Sequence, residues 1–237
     1  MTNRTQETSP QVYARVVGFL YLIIFCLGIF GELFVRQNLI VPGDAATTVN
    51  NIMDSESLFR LTLVIGLIRN TCLILLPLVL YKLLKPINKT IALVMVILAL
   101  VSVGIAMVNM INDYAVLLLL SGADYLTAFG VDQLHAQVMF FLDLQTYGAF
   151  IPQFLSLWLI LVGYLVFKSS FLPRILGILL IIGGLGFVID SITFVLFPNF
   201  DVTISLFTFF GEMIFALWLL IKGVNVEEWE KRALESA

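Results

Sequence analysis

The chain has 237 residues, 60% of them hydrophobic and only 12% charged, with a net charge of −3. A soluble domain carries about a quarter charged residues, so this composition excludes an ordinary water-soluble domain and points to a bilayer. The weakly acidic balance offers no basic surface to nucleic acid, and no nucleic-acid partner is expected.

Residues 1–12 are polar, and the apolar run from Tyr13 exceeds twenty residues with no small-residue cleavage pattern after it. It is read as a transmembrane helix and not as a cleaved leader. Six stretches reach the length needed to cross about 30 Å of hydrocarbon: 13–35, 58–83, 90–112, 138–167, 175–197 and 203–221. The expected fold class is all-α: one membrane domain, residues 1–237, built as a six-transmembrane-helix bundle with a short cytoplasmic tail, 225–237. Residues 113–120 and 132–137 extend two of the spans as helix beyond the bilayer. Arg4, Arg15, Lys82, Lys85, Lys89, Lys168, Arg174, Lys222, Lys231 and Arg232 fall on one side, against Arg36 and Arg60 on the other. The positive-inside rule then makes both termini cytoplasmic.

The first outer connection, 36–57, opens with the Val41-Pro42-Gly43 turn, and Asp44 is placed to cap a short amphipathic helix over 45–53. Ala45, Val49, Ile52 and Met53 share its apolar face, so it is either a lid or a connector on the outer surface. Asp54 and Ser55 stand ready to cap the second span, and Asp132 the fourth. His135 reads as a solvated side chain, Trp229 as a headgroup-level anchor, and Cys26 and Cys72 as buried thiols without a disulfide.

Chemistry centres on Arg69, a permanent cation in the middle of the second span, which costs about 2.5–3.5 kcal/mol on insertion scales unless neutralised. At 1.5 Å per residue from the cytoplasmic anchors, Glu212 lies at ~15 Å, Arg69 and Gln153 at ~20 Å, and Asp190 and Glu32 at ~25 Å. Asn109, Asn112 and Asp113 share one face of the third helix. Asp113 and Asp143 come out at ~36–38 Å, the outer mouth. These nine residues form the candidate site, an outward-facing polar vestibule in which Arg69 contacts Asp190, Glu212 or Glu32, directly or through water. One carboxylate stays uncompensated there and is free to exchange a proton. Pro152 beside Gln153 predicts a kink in the fourth helix.

Other chemistries lack their residues. There is no HExxH, and one histidine cannot supply a bis-histidine haem or a histidine-rich metal site, so no cofactor and no metal are expected. Nucleophile elbows and phosphate-binding glycine loops are missing too. Three functions stay open: a protein binding or transporting a small polar or cationic solute or protons, a membrane enzyme using a carboxylate pair on a lipid-like substrate, and a structural or assembly subunit. The bilayer and a small-molecule ligand are the partners considered; oligomeric state is not read from the sequence.

Seven stretches carry a resemblance: Ala14–Leu22, Ile40–Ala46, Glu56–Leu61, Leu119–Leu126, Ser170–Gly177, Gly186–Ser191 and Ala216–Val224. In this order and spacing they resemble a family of small bacterial membrane proteins catalogued as domain of unknown function 4386. The resemblance implies a six-helix integral protein of a bacterial inner or plasma membrane, with no established activity. It also implies histidines where this chain has Asp113 and Gln145, and an acid where it has Gly66, whereas Asn109, Gln153, Asp190, Ser191 and Glu212 follow the family pattern.

Overall fold

The computed structural model describes residues 9–197 and 203–236, which are predominantly helical with no strand among them. The first span begins as α1 (Pro10–Ile29), with Pro10 in the first helical position and the Ser9 hydroxyl accepting from the Gln11 amide. It widens into a π-helical stretch, Phe30–Arg36, and ends in the turn α2 (Gln37–Leu39). Then follow α3 (Ala45–Asp54), α4 (Glu56–Leu84), α5 (Lys89–Asn109) and α6 (Ile111–Leu119). A 3₁₀ turn over Asp124–Ala128 leads to α7 (Val131–Gly148), α8 (Phe150–Phe154), α9 (Leu157–Lys168) and α10 (Arg174–Leu196). The chain closes with α11 (Ser205–Thr208), α12 (Phe210–Ile221) and α13 (Val226–Glu235).

Five runs, Pro10–Leu39, Glu56–Leu84, Lys89–Leu119, Val131–Lys168 and Arg174–Leu196, are long and apolar enough to cross a membrane. A sixth, Ser205–Ile221, is shorter and turns by 100° into α13. Ile68, Val108, Ile151 and Val195 lie on the outside of the bundle, where hydrocarbon and not water is the natural solvent.

The main core joins the spans toward the lysine-rich end around Tyr21, Leu76, Met95, Leu159, Leu180 and Phe215. Its tightest crossing is between α9 and α10. A Cβ on Gly163 would stand 2.7 Å from the Gly177 carbonyl, so only glycine lets these backbones approach. A second core at the other end gathers Val35, Val49, Ile52, Phe59, Val138 and Leu142. There α3 packs on α7, and Met53 is exposed. Asp44 caps α3 as expected, accepting from the Thr47 amide at 2.9 Å and its hydroxyl at 2.7 Å. These bonds, the backbone one foremost, hold the Asp44 carboxyl below the usual carboxylate range.

Several local expectations need correcting. Asp132 does not cap the fourth span; α7 starts at Val131, and the Gln133 side chain reaches back to the Gly130 amide at 3.0 Å. Asp54 ends α3, and Ser55 occupies the cap position of α4 without a side-chain bond. Cys72 is buried but Cys26 is exposed, because it faces away from the core. Trp229 is not a headgroup anchor: it is buried, and its indole N–H donates to the Leu83 carbonyl at 2.8 Å. The last carbonyls of a helix lack intrahelical donors, so a tail able to supply one docks there. Gln11 adds a second clasp, donating to the Lys222 carbonyl at 3.1 Å and accepting from the Val224 amide at 3.0 Å.

Candidate functional site

The fourth span is broken twice, and the breaks decide where the polar residues of the third span go. At the end of α7 the Ala149 amide bonds to the carbonyls of Thr146 and Tyr147, which leaves the Gln145 carbonyl without its helical donor. Asn109 fills that vacancy, its Nδ2 donating to the Gln145 carbonyl at 2.7 Å. After Pro152 the Ser156 amide bonds to the Gln153 carbonyl at 3.0 Å, a tightening that frees the Pro152 carbonyl. Ser102 takes it at 2.8 Å. Ser102 and Asn109 are seven residues apart, on one face of α5, so a single helix face repairs both breaks. Asn112 steadies the arrangement by donating to Asn109 at 2.9 and 3.0 Å.

Arg69 forms no direct ion pair: among the described residues no carboxylate oxygen comes within 4.0 Å of its guanidinium. Arg69 is exposed in the groove between the first and second spans, its Nη1 3.8 Å from where a Cβ on Gly28 would stand. Glu32, exposed on the π-helical stretch, is within electrostatic range of it, while Asp190 is engaged elsewhere and Glu212 stands apart from it. The buried carboxylate that does find an arginine is Asp113, with Arg36 Nη1 at 3.5 Å. Arg36 also donates to the Thr146 hydroxyl at 3.2 Å. The pair is a charge contact more than an aligned bond, since Asp113 Oδ1 receives no hydrogen bond. In the sequence Arg36 stands out only as an outer-side topology charge. The signal that could have found it is its position twenty-one residues after Arg15, about 31 Å along a helix, close to the depth of Asp113.

Asp190 is held by backbone. Its two oxygens accept from the amides of Ile204 (2.7 Å) and Ser205 (2.8 Å), so the carboxylate pins the start of the last span to α10. Two charge-assisted bonds satisfy it without any cation.

Glu212 is the contrast. It lies on the first turn of α12, buried, and among the described residues it has neither an ion pair nor a hydrogen bond. The Tyr21 hydroxyl, also buried and without a hydrogen-bond partner, is close enough to feel its charge, and the Tyr21 ring meets Phe215 edge-on at 6.1 Å. Tyr21 is thus a second residue the sequence reading missed, an aromatic in an apolar run with no outward mark of its polar end. Asn70 is the third: its Nδ2 donates to the Met110 sulfur at 3.3 Å and its Oδ1 has no partner. Of the remaining candidates, Gln153 is half-buried and Asp143 exposed, and neither side chain bonds to another described group. Two cavities, of about 380 and 550 Å³, lie away from Arg69 and Glu212. No three His, Cys, Asp or Glu side chains among the described residues are placed to hold a metal ion.

The family profile described as Domain of unknown function (DUF4386) matches residues 16–223. The chain belongs to that family. A similar protein from Archaeoglobus fulgidus, described as an uncharacterized protein, is 43% identical over 75 residues, covering 32% of this chain. The chain spans 45% of that relative's length. No solved structure matches. In this DUF4386 protein, Asp113 and Gln145, where the resemblance implies histidines, both adjoin the break at Met110. Here Asp113 pairs with Arg36, and Gln145 lends its backbone carbonyl to Asn109.

Proposed function

We propose that this DUF4386 protein is a multi-pass carrier of the cell membrane that binds a proton or small cation at Glu212 and exchanges it with the side opposite the lysines. The observation that carries the reading is the isolation of Glu212, a buried acid offered no cation and no hydrogen bond by the described residues. A carboxylate left so is costly, and the deficit is met either by a proton or by a cation from outside. The end away from the lysines supports this. Asp44, Asp54, Glu56, Asp124, Asp132 and Asp143 are exposed there, and Arg60 is paired with Glu56 at 2.6 Å. Such a surface concentrates cations and repels anions.

The enzyme reading loses its second acid. Both oxygens of Asp190 are taken by backbone amides, so Asp190 is not free to trade protons with a substrate opposite Glu212. In proteoliposomes carrying a pH dye, an imposed sodium or potassium gradient should drive proton movement in wild type. Glu212→Gln should abolish it, and Asp143→Asn should leave it intact. Flux equal to that of protein-free vesicles, or equal in wild type and Glu212→Gln, would leave the bundle a structural subunit.

A further inference from the structure

The lysine-rich end of the bundle holds a cavity of about 380 Å³ between the α9–α10 turn and the end of α12. Ser170, Leu172, Pro173, Trp218, Lys222 and Asn225 are among its lining residues, and none of the lining residues is acidic. Its walls are tied together. The Asn225 amide donates to the Phe171 carbonyl at 3.1 Å, and Gly223, at φ +68°, turns the chain out of α12 so that the Val224 amide can meet Gln11.

The Lys222 ammonium stands over the Trp218 ring, 4.9 Å from its centroid, and Arg174, next to the lining Pro173, stands over Phe167 at 5.9 Å. Neither cation has a carboxylate partner among the described residues. The consecutive backbone N–H groups of Ser170, Phe171 and Leu172 have no acceptor among the described residues, although Phe171 and Leu172 are buried. Buried amides in native proteins are almost always paired, so the two buried ones, of Phe171 and Leu172, call for an anion or water, with the exposed Ser170 amide beside them. The cavity also sits where the spans end. Exposed Ile175 and Ile178 continue from it along α10, and Leu217 and Ile221 along α12, forming an apolar surface beside a cationic mouth.

We infer that this cavity binds the phosphate of an anionic glycerophospholipid from the adjoining leaflet, with the acyl chains lying along the exposed isoleucines. Lys222 and Arg174 meet the phosphate charge, the Ser170 hydroxyl and the 170–172 amides supply hydrogen bonds, and Trp218 sits at headgroup level.

Purified full-length protein, exchanged into defined detergent with phosphatidylglycerol or phosphatidylcholine, tests this by native mass spectrometry of lipid retained per chain. Wild type should retain one phosphatidylglycerol in preference to phosphatidylcholine, and the preference should weaken as salt rises. Removing each cation, as Lys222→Gln or Arg174→Gln, should weaken retention about fivefold, whereas Lys85→Gln, outside the cavity, should not change it. Equal retention of the two lipids by wild type would overturn the site without recourse to any variant. So would undiminished retention in Lys222→Gln/Arg174→Gln. Displacement of the lipid by millimolar inorganic phosphate, with phosphate then retained in its place, would assign the cavity to free phosphate and overturn the lipid proposal.

Discussion

Asp190→Ala is expected to destabilise the protein by about 3–6 kcal/mol, the sum of two hydrogen bonds to a charged acceptor at roughly 1.5–3 kcal/mol each. The bonds are those to the amides of Ile204 and Ser205, at 2.7 and 2.8 Å. Truncation leaves two donors in a region where water does not readily replace the lost acceptor, which adds to the cost. Asp190→Asn should fall between, because its amide oxygen can serve one donor while its NH2 group faces the other. Unfolding titrations in mixed micelles would measure all three proteins. If both variants unfolded with wild type, Asp190 would not be fastening the last span to α10.

The Arg36–Asp113 pair should show the second largest effect, and an asymmetric one. Arg36→Gln leaves a buried carboxylate with no cation, at a cost of roughly 3 kcal/mol, the low end for breaking a buried pair. The low end applies because the contact is 3.5 Å and the Arg36 side chain retains 20% exposure. Asp113→Asn should cost less, since Arg36 keeps its bond to Thr146 and its partial access to water. The double variant should then be more stable than Arg36→Gln alone. Additive losses in the same micelle titration would show that the two charges do not sense each other.

The spans are legible in the sequence because a fixed hydrocarbon thickness demands long apolar runs, and the five runs from Pro10 to Leu196 satisfy it. The break near Pro152 is legible because proline removes a helical donor. Partners are not. Counting residues along a helix places Arg69 and Glu212 at similar depths, but depth carries no azimuth, and Arg69 turns into the groove by Gly28 instead. The sequence offers Asp190 as a charge partner, because its real partners are backbone amides at the start of α11, which no residue type announces. Asn109 looks like a ligand-binding group in the sequence for the same reason: the Gln145 carbonyl it serves exists as an acceptor only because α7 breaks. Once these roles are assigned, Glu212 remains the buried acid without one.

That residue is therefore where the central claim is most directly tested. Detergent-purified wild type and Glu212→Gln, each subjected to a pH jump across neutrality with a proton-sensitive dye, report the protons exchanged per chain. Wild type should exchange one more than Glu212→Gln, and added sodium or potassium should suppress that extra proton if a cation competes for the same carboxyl. Equal proton counts in the two proteins would contradict exchange at Glu212 and leave the acid as part of the scaffold.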